Sequence, residues 1–213
     1  MITVLVADDH ELVRSGIEHI LNADPEITVV GAAATGEEAL ELADSLRPDI
    51  VIMDINMPGL GGLAACQKLK RRHPDIRLIA LSVYADGPIP RQLIEAGVDG
   101  YLSKHCPPQE MIKAVTTVHR GDRYLSRDVA SRLVFAHPEK DTTPFDRLSS
   151  REMEVTLLTL QGKSIQEIAA ILSVSPKTVC TYRYRIFEKL GIRNDVELAR
   201  LAAKYGLLNP DGN

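Results

Sequence analysis

The chain lacks most of the marks of a membrane, secreted or metal-stapled protein. No apolar run among its 213 residues approaches the roughly 20 that a bilayer span requires, so a soluble protein is expected, with no membrane partner. The first residues pass straight into a strand pattern, without the basic segment and hydrophobic stretch that direct export. Cysteine is scarce: Cys66, Cys106 and Cys180 are odd in number, and no two are spaced as a metal-ligand pair. A reduced, cytoplasmic setting is therefore expected. A strong excess of either charge is also missing, the net charge being −4. That small value conceals an asymmetry. Residues 1–135 hold 14 Lys and Arg against 19 Asp and Glu, whereas residues 136–213 hold 11 against 10. An acidic front is joined to a slightly basic back. Length and the change of pattern favour two domains, and the 45% apolar content allows each a core.

What is present is more specific. Four short apolar runs each end in a polar residue. Asp8 and Asp9 follow Val4-Leu5-Val6-Ala7, Asp54 follows Ile50-Val51-Ile52-Met53, Ser82 follows Leu78-Ile79-Ala80-Leu81, and Lys104 follows Tyr101-Leu102-Ser103. Short β-branched runs alternating with amphipathic segments read as buried parallel strands and their crossover helices. Strands are expected near 2–7, 27–32, 49–53, 76–81 and 99–102, and helices near 11–22, 36–46, 62–72, 89–96 and 109–120. Glu37, Glu38 and Glu41 load the start of one helix, as its dipole favours. Gly97, Gly100 and Gly121 fall where chain reversals are expected. Five such units give an α/β, doubly wound, flavodoxin-like domain over residues 1–125, with a five-stranded parallel sheet.

In such a sheet, ligands sit beyond the carboxyl ends of the strands. Three carboxylates, a hydroxyl and an ammonium converge there. Mg²⁺ takes hard oxygen ligands, commonly one or two carboxylates with water and phosphate, and Asp8, Asp9 and Asp54 supply them. A cation beside an aspartate can steady phosphoryl transfer to that carboxylate. Lys104 would pair with the new charge, and the Ser82 hydroxyl would bond a phosphoryl oxygen. No His or Glu stands ready to drive rapid turnover, so the site is expected to accept and hold a phosphate rather than act as an enzyme. Singly, an Asp after a strand is often a helix cap and a lone Lys is often solvated. Four suitable residues at four successive strand ends are much harder to reach by accident.

Asp8-Asp9, Met53-Asp54-Ile55-Asn56-Met57-Pro58-Gly59, Leu81-Ser82 and Gly100-Tyr101-Leu102-Ser103-Lys104 resemble the receiver domain of two-component response regulators, from residue 2 to about 120. The resemblance implies that Asp54 is the phosphoacceptor and that Asp8, Asp9, Asp54 and the backbone carbonyl of Asn56 surround Mg²⁺. It also implies that Ser82 and Tyr101 form a switch pair, that Lys104 binds the phosphate, and that a sensor histidine kinase or phosphotransfer protein is the donor. Tyr101 also has a plainer reading, as strand packing. Tyr84 and Asn56 would flank the path of a hydrolytic water, so a bulky Tyr84 is expected to prolong the phosphorylated state. Asp86-Gly87-Pro88-Ile89-Pro90 departs from the commonest receivers, its prolines confining the helix start to a first turn.

Residues 126–146 read as a linker. Ser126 to Val134 can form a short helix, and Ala136 to Pro144 is polar and proline-containing; His137 reads as a linker residue rather than a ligand. From 147 to 213 the pattern is all-α. Ser149 with Glu152, Ser164 with Glu167, and Asn194 with Glu197 have the spacing of capping boxes, and Ser175-Pro176 opens a further helix. Four helices are expected near 150–161, 165–172, 176–190 and 195–205, the second and third forming a helix-turn-helix. Val179, Tyr182, Ile186 and Leu190 mark the inner face of the third. Lys177, Cys180, Thr181, Tyr184 and Glu188 face outward, flanked by Thr178, Arg185 and Lys189. A basic, hydroxyl-bearing outer face suits a DNA major groove, although a solvated charged helix would share its charge pattern.

Leu148-Ser149-Ser150-Arg151-Glu152, Gly162-Lys163-Ser164-Ile165-Gln166-Glu167-Ile168-Ala169 and Ser175-Pro176-Lys177-Thr178-Val179 resemble the LuxR-type domain of NarL/FixJ response regulators. Within that class, Ser175 to Leu190 is similar to the GacA/UvrY global regulators. The resemblance implies a phosphorylation-switched transcription factor that binds double-stranded DNA as a homodimer, with control of regulatory RNA or virulence genes. Many relatives carry lysines where Cys180, Thr181 and Tyr184 stand here. Lys177, Arg185 and Lys189 are expected to touch phosphates, and Thr181 and Tyr184 to set sequence preference. Two rivals remain. An aspartyl-phosphate hydrolase would need a second aspartate two residues after Asp54, where Asn56 stands. A flavin-binding module would need a phosphate cradle, where the loop is the acidic Asp8-Asp9-His10-Glu11.

Overall fold

Alternation along each strand determines how the front domain is layered, because successive side chains leave a strand on opposite faces. In the computed structural model, which describes residues 1–83, 88–135 and 143–207, strand β1 (Ile2–Ala7) sends Val4 and Val6 to one side and Leu5 and Ala7 to the other. Both sides are buried. β2 (Ile27–Ala33), β3 (Ile50–Asp54), β4 (Arg77–Ser82), β5 (Gly100–Ser103) and β6 (Tyr124–Leu125) join β1 in a wholly parallel sheet of order β2-β1-β3-β4-β5-β6. Helices α1 (Glu11–Asn22) and α5 (Pro108–His119) cover one face through Ile17, Leu21, Met111, Val115 and Val118. Helices α2 (Gly36–Leu46), α3 (Gly62–Arg72) and α4 (Pro88–Glu95) cover the other through Ala39, Leu40, Leu63, Leu69 and Leu93. Each such Leu or Ile contributes about 1.5–3 kcal/mol of burial.

The sheet has one strand more than the five expected. β6 (Tyr124–Leu125) pairs parallel to β5, Gly100 with Tyr124 and Tyr101 with Leu125. Two residues cannot show an alternating pattern; they are recruited by the Tyr124 N–H to the Asp99 carbonyl (3.1 Å) and the Ser126 N–H to the Tyr101 carbonyl (2.9 Å). Gly97 and Gly121 do turn the chain at positive φ, 85° and 95°. Gly100 instead lies within β5, where a Cβ would come within 2.9 Å of Ile79 and 3.1 Å of Val118; it lets α5 pack close.

The expected linker 126–146 contains helix α6 (Arg127–Phe135), with Val129 buried, and a 3₁₀ turn at Pro144–Arg147, with Phe145 buried. Tyr84 and His137 lie outside the described residues, as does most of the Ala136–Pro144 stretch. Beyond the turn come α7 (Ser150–Leu160), α8 (Ile165–Ile171), α9 (Pro176–Leu190) and α10 (Asp195–Lys204). Ser149 and Ser164 form full capping boxes with Glu152 and Glu167. Asn194 accepts from the Glu197 N–H, but the Glu197 carboxylate takes the Arg193 N–H instead of closing the box. Ser175 caps α9 with Pro176 at its first position, and Gly191 ends it in the left-handed region.

Candidate phosphoacceptor site and DNA-facing helix

Asp8, Asp54, Ser82 and Lys104 arrive together because they follow adjacent strands in the order β1, β3, β4, β5. Asp8, Asp54 and Ser82 are fully buried. The Lys104 ammonium bridges the two carboxylates at 2.8 Å to Asp8 and 2.8 Å to Asp54. The Asn56 N–H donates to Asp54 Oδ1 at 3.1 Å, and the His10 N–H to Asp8 Oδ1 at 2.9 Å. Burial pushes the Asp54 carboxyl above the ordinary carboxylate range, against the pull of Lys104. Burial also opposes charge on Lys104, but the Asp54 and Asp8 carboxylates outweigh it and raise its pKa. The pair is a charged group held in place by its neighbours, waiting at the mouth of the sheet.

The oxygens of Asp8, Asp9 and Asp54, with a nitrogen of His10, lie within 4.8 Å of one another. Asp9 Oδ1 is buried without a hydrogen-bond donor, although His10 Nδ1 stands 2.9 Å away. Clustered hard oxygens, one of them lacking a proton donor, suit a hard divalent cation. His10 is the participant that sequence reasoning passed over; its one signal was its place directly after Asp8-Asp9. Tyr101 is fully buried in the cluster beneath α2, α3 and α4.

On α9, Val179 and Ile186 are buried and Tyr182 and Leu190 half-buried. Lys177, Cys180, Thr181, Tyr184, Arg185 and Glu188 are exposed, with Tyr184 at 70%. Thr178 is half-buried, its hydroxyl 2.8 Å from that of Ser175. Lys189 is differently occupied: its ammonium lies 2.6 Å from Glu152 and donates to the Arg147 carbonyl at 3.2 Å, tying α9 to the cap of α7. Arg183, not singled out from sequence, reaches both oxygens of Asp195 at 2.8 and 2.9 Å and lies 5.3 Å from the centre of the Phe187 ring. One nitrogen, Nη2, makes both contacts, and this charge-assisted pair ties the start of α10 to α9. An arginine four residues before an aromatic was its only signal.

Residues 4–116 match the response regulator receiver domain, and residues 146–202 match the bacterial regulatory proteins of the luxR family. The chain is 47% identical over 211 residues to the response regulator GacA of Pseudomonas viridiflava, covering 98% of this chain and 99% of that one. It is 45% identical over 213 residues to the response regulator UvrY of Escherichia coli K12, covering 99% and 98%. A solved structure of RcsB from Salmonella enterica serovar Typhimurium, bound to the promoter rprA with the phosphomimetic BeF3−, matches at TM-score 0.70 and 25% identity, over 95% of this chain and 98% of that one. The chain belongs to the GacA/UvrY-type response regulators: a receiver domain on a parallel α/β sheet joined to a helical LuxR-type DNA-binding domain, the construction of a phosphorylation-dependent transcriptional regulator.

Proposed function

We propose that Asp54 accepts a phosphoryl group from a sensor histidine kinase or phosphotransfer protein, and that this changes how the α9 face meets double-stranded DNA. The observation that carries the reading is the buried Asp54 carboxylate with the Lys104 ammonium 2.8 Å away, shared with Asp8. Lys104 is placed to follow the phosphoryl charge once it forms, and Ser82, on the neighbouring strand end, to offer its hydroxyl to a phosphoryl oxygen. Asp8, Asp9, Asp54 and the Asn56 carbonyl would hold Mg²⁺, which neutralises charge on the transferring group when bound. Tyr101 would complete a switch with Ser82. Asn56 stands where a hydrolase would need its second aspartate, so in this reading the centre stores a phosphate rather than turning one over, and the protein is a regulator rather than an enzyme. The hydrolase and flavin alternatives are not favoured by the family.

Residues 1–125 form the receiver in this reading, 126–146 the connection and 147–213 the DNA-binding unit. Lys177 and Arg185 contact phosphates, Thr181 and Tyr184 read bases, and Thr178 and Cys180 line the groove; two copies would pair to match half-sites. The setting is cytoplasmic, and the targets, by likeness to the GacA and UvrY regulators, are regulatory RNA or virulence genes. The test is treatment of the full chain with a small-molecule phosphodonor and Mg²⁺, read by intact mass. Wild type should gain one phosphoryl adduct and Asp54→Asn none. An adduct that persists in Asp54→Asn would place the acceptor elsewhere.

A further inference from the structure

The two domains meet through a socket that none of the functions above requires. The loop between β3 and α3 runs directly from the acceptor Asp54, and helix α7 rests on it. Arg151 donates to the carbonyls of Gly59 (3.3 Å) and Leu60 (2.9 Å), and also to that of Leu172 at the end of α8. The Gly59 N–H donates to the Ile171 carbonyl across the same seam. At its centre is Glu154, 7% exposed, which accepts from Arg151 at 2.8 Å and from the Ala64 N–H in the first turn of α3 at 3.3 Å. Gly61 sits at φ 79°, and any side chain there would occupy the space of the Glu154 carboxylate. Gly62 abuts the backbone carbonyl of Asp54 itself, closely enough that a Cβ would collide with it. The socket is thus built of glycines, between the acceptor residue and a buried acid of the other domain.

A buried carboxylate with one cation beside it is finely balanced between its charged and neutral forms. The groups facing Glu154 can be enumerated by element. Helix α7 presents Arg151; α3 presents the Ala64 N–H and the Cys66 thiol, which burial keeps protonated; α2 presents Glu37, a like charge whose carboxylate lies against Gly59. We propose that Glu154 is a proton-operated latch: protonated, it holds the DNA-binding domain in the Gly59–Gly62 socket of the receiver, and ionised, it lets the domain go.

Burial, opposed by Arg151 and the Ala64 N–H and aided by Glu37, raises the Glu154 carboxyl from 4.5 to about 7. Undocked, Glu154 loses the receiver's share of that burial and returns toward its ordinary value. A group whose docked pKa lies above its undocked one stabilises docking fully below the undocked value, and the gain is lost as pH rises toward the docked pKa. The docking equilibrium should therefore weaken about tenfold or more between about pH 5.5 and 7.5 and then level off. The latch works without phosphorylation, so its failure would leave the acceptor chemistry standing.

The experiment is small-angle X-ray scattering of the unphosphorylated full chain from pH 5.5 to 8, giving the docked fraction for wild type, Glu154→Gln and Glu37→Gln. Wild type should open as pH rises, while Glu154→Gln should show no such pH dependence. Glu37→Gln, at an exposed position in the other domain, removes the like charge and should keep the chain docked to higher pH. A wild-type docked fraction that does not change with pH would overturn the latch. So would opening of Glu154→Gln in parallel with wild type, or a Glu37→Gln curve that coincides with the wild-type one.

Discussion

Among the described residues Lys104 is the one side chain whose cation bridges both Asp8 and Asp54, and Lys104→Met removes that charge while retaining most of the stem. The two carboxylates are fully buried and each lies 2.8 Å from the ammonium. At an effective dielectric near 20, each contact represents about 6 kcal/mol of gross attraction. Desolvation of the ammonium offsets much of it, and breaking a buried pair from one side typically costs about 3–5 kcal/mol. Lys104 keeps 16% of its side chain exposed, so the lower end, about 3 kcal/mol, is expected. Urea unfolding followed by far-ultraviolet circular dichroism, since the chain has no Trp, should show that loss in the receiver transition. At one shared Mg²⁺ concentration the variant should then be stabilised more than wild type, gaining about 2.7 kcal/mol where that concentration is a hundredfold above the variant's dissociation constant, because the ion supplies the missing positive charge. If the variant is as stable as wild type without Mg²⁺, or if Mg²⁺ helps both equally, the charge balance drawn from the geometry is wrong.

Other predictions concern the back domain. Lys177→Ala and Arg185→Ala should each weaken DNA binding by a similar factor on all sequences and reduce the salt slope by about one, whereas Tyr184→Ala and Thr181→Ala should change the order of preference among operators in a binding-site selection. Lys189→Ala should cost about 1–2 kcal/mol of domain stability through its lost bond to the Glu152 cap, with a smaller effect on salt-dependent DNA affinity than Lys177→Ala, as read by thermal unfolding and fluorescence anisotropy. Burial works against the Glu152 charge, but its bonds to Lys189 and Ser149 hold its carboxyl below the ordinary range, so its stabilisation is present above the unfolded pKa and should fade as pH falls below it; the loss on acidification should be smaller in Lys189→Ala. Phe145→Ala, which empties a fully buried position 6.2 Å from the Tyr205 ring, should cost about 3–5 kcal/mol and lower the melting temperature of the DNA-binding domain; a shift within error would show that the 3₁₀ turn is not part of its core.

Sequence was most informative where structure is local. The strands ending at Asp8, Asp54 and Ser82 and the caps at Ser149, Ser164 and Ser175 each announce themselves within a few residues, through alternation or through an S-x-x-E spacing. β6 was missed because two residues have no period, and Gly100 was read as a turn although it is a packing position. A helical wheel puts Lys189 on the flank of the outer face, where it is indeed exposed, but cannot show that Glu152, 37 positions away, is close enough to bond it. The same limit hid the Arg151–Glu154 seam, since all its receiver partners are backbone groups of Gly59 to Ala64, and carbonyls have no signature in a string of side chains.

The receiver grips its neighbour by α7 and the end of α8, leaving the residues from Lys177 to Arg185 that point away from the core open to solvent. A muzzle would have covered them; this is a leash. A resting copy is therefore expected to brush along chromosomal DNA and hold it weakly, already close to its promoters when the signal comes. On the proposed reading, phosphorylation then has less to accomplish than uncovering a hidden surface, because that surface is already open.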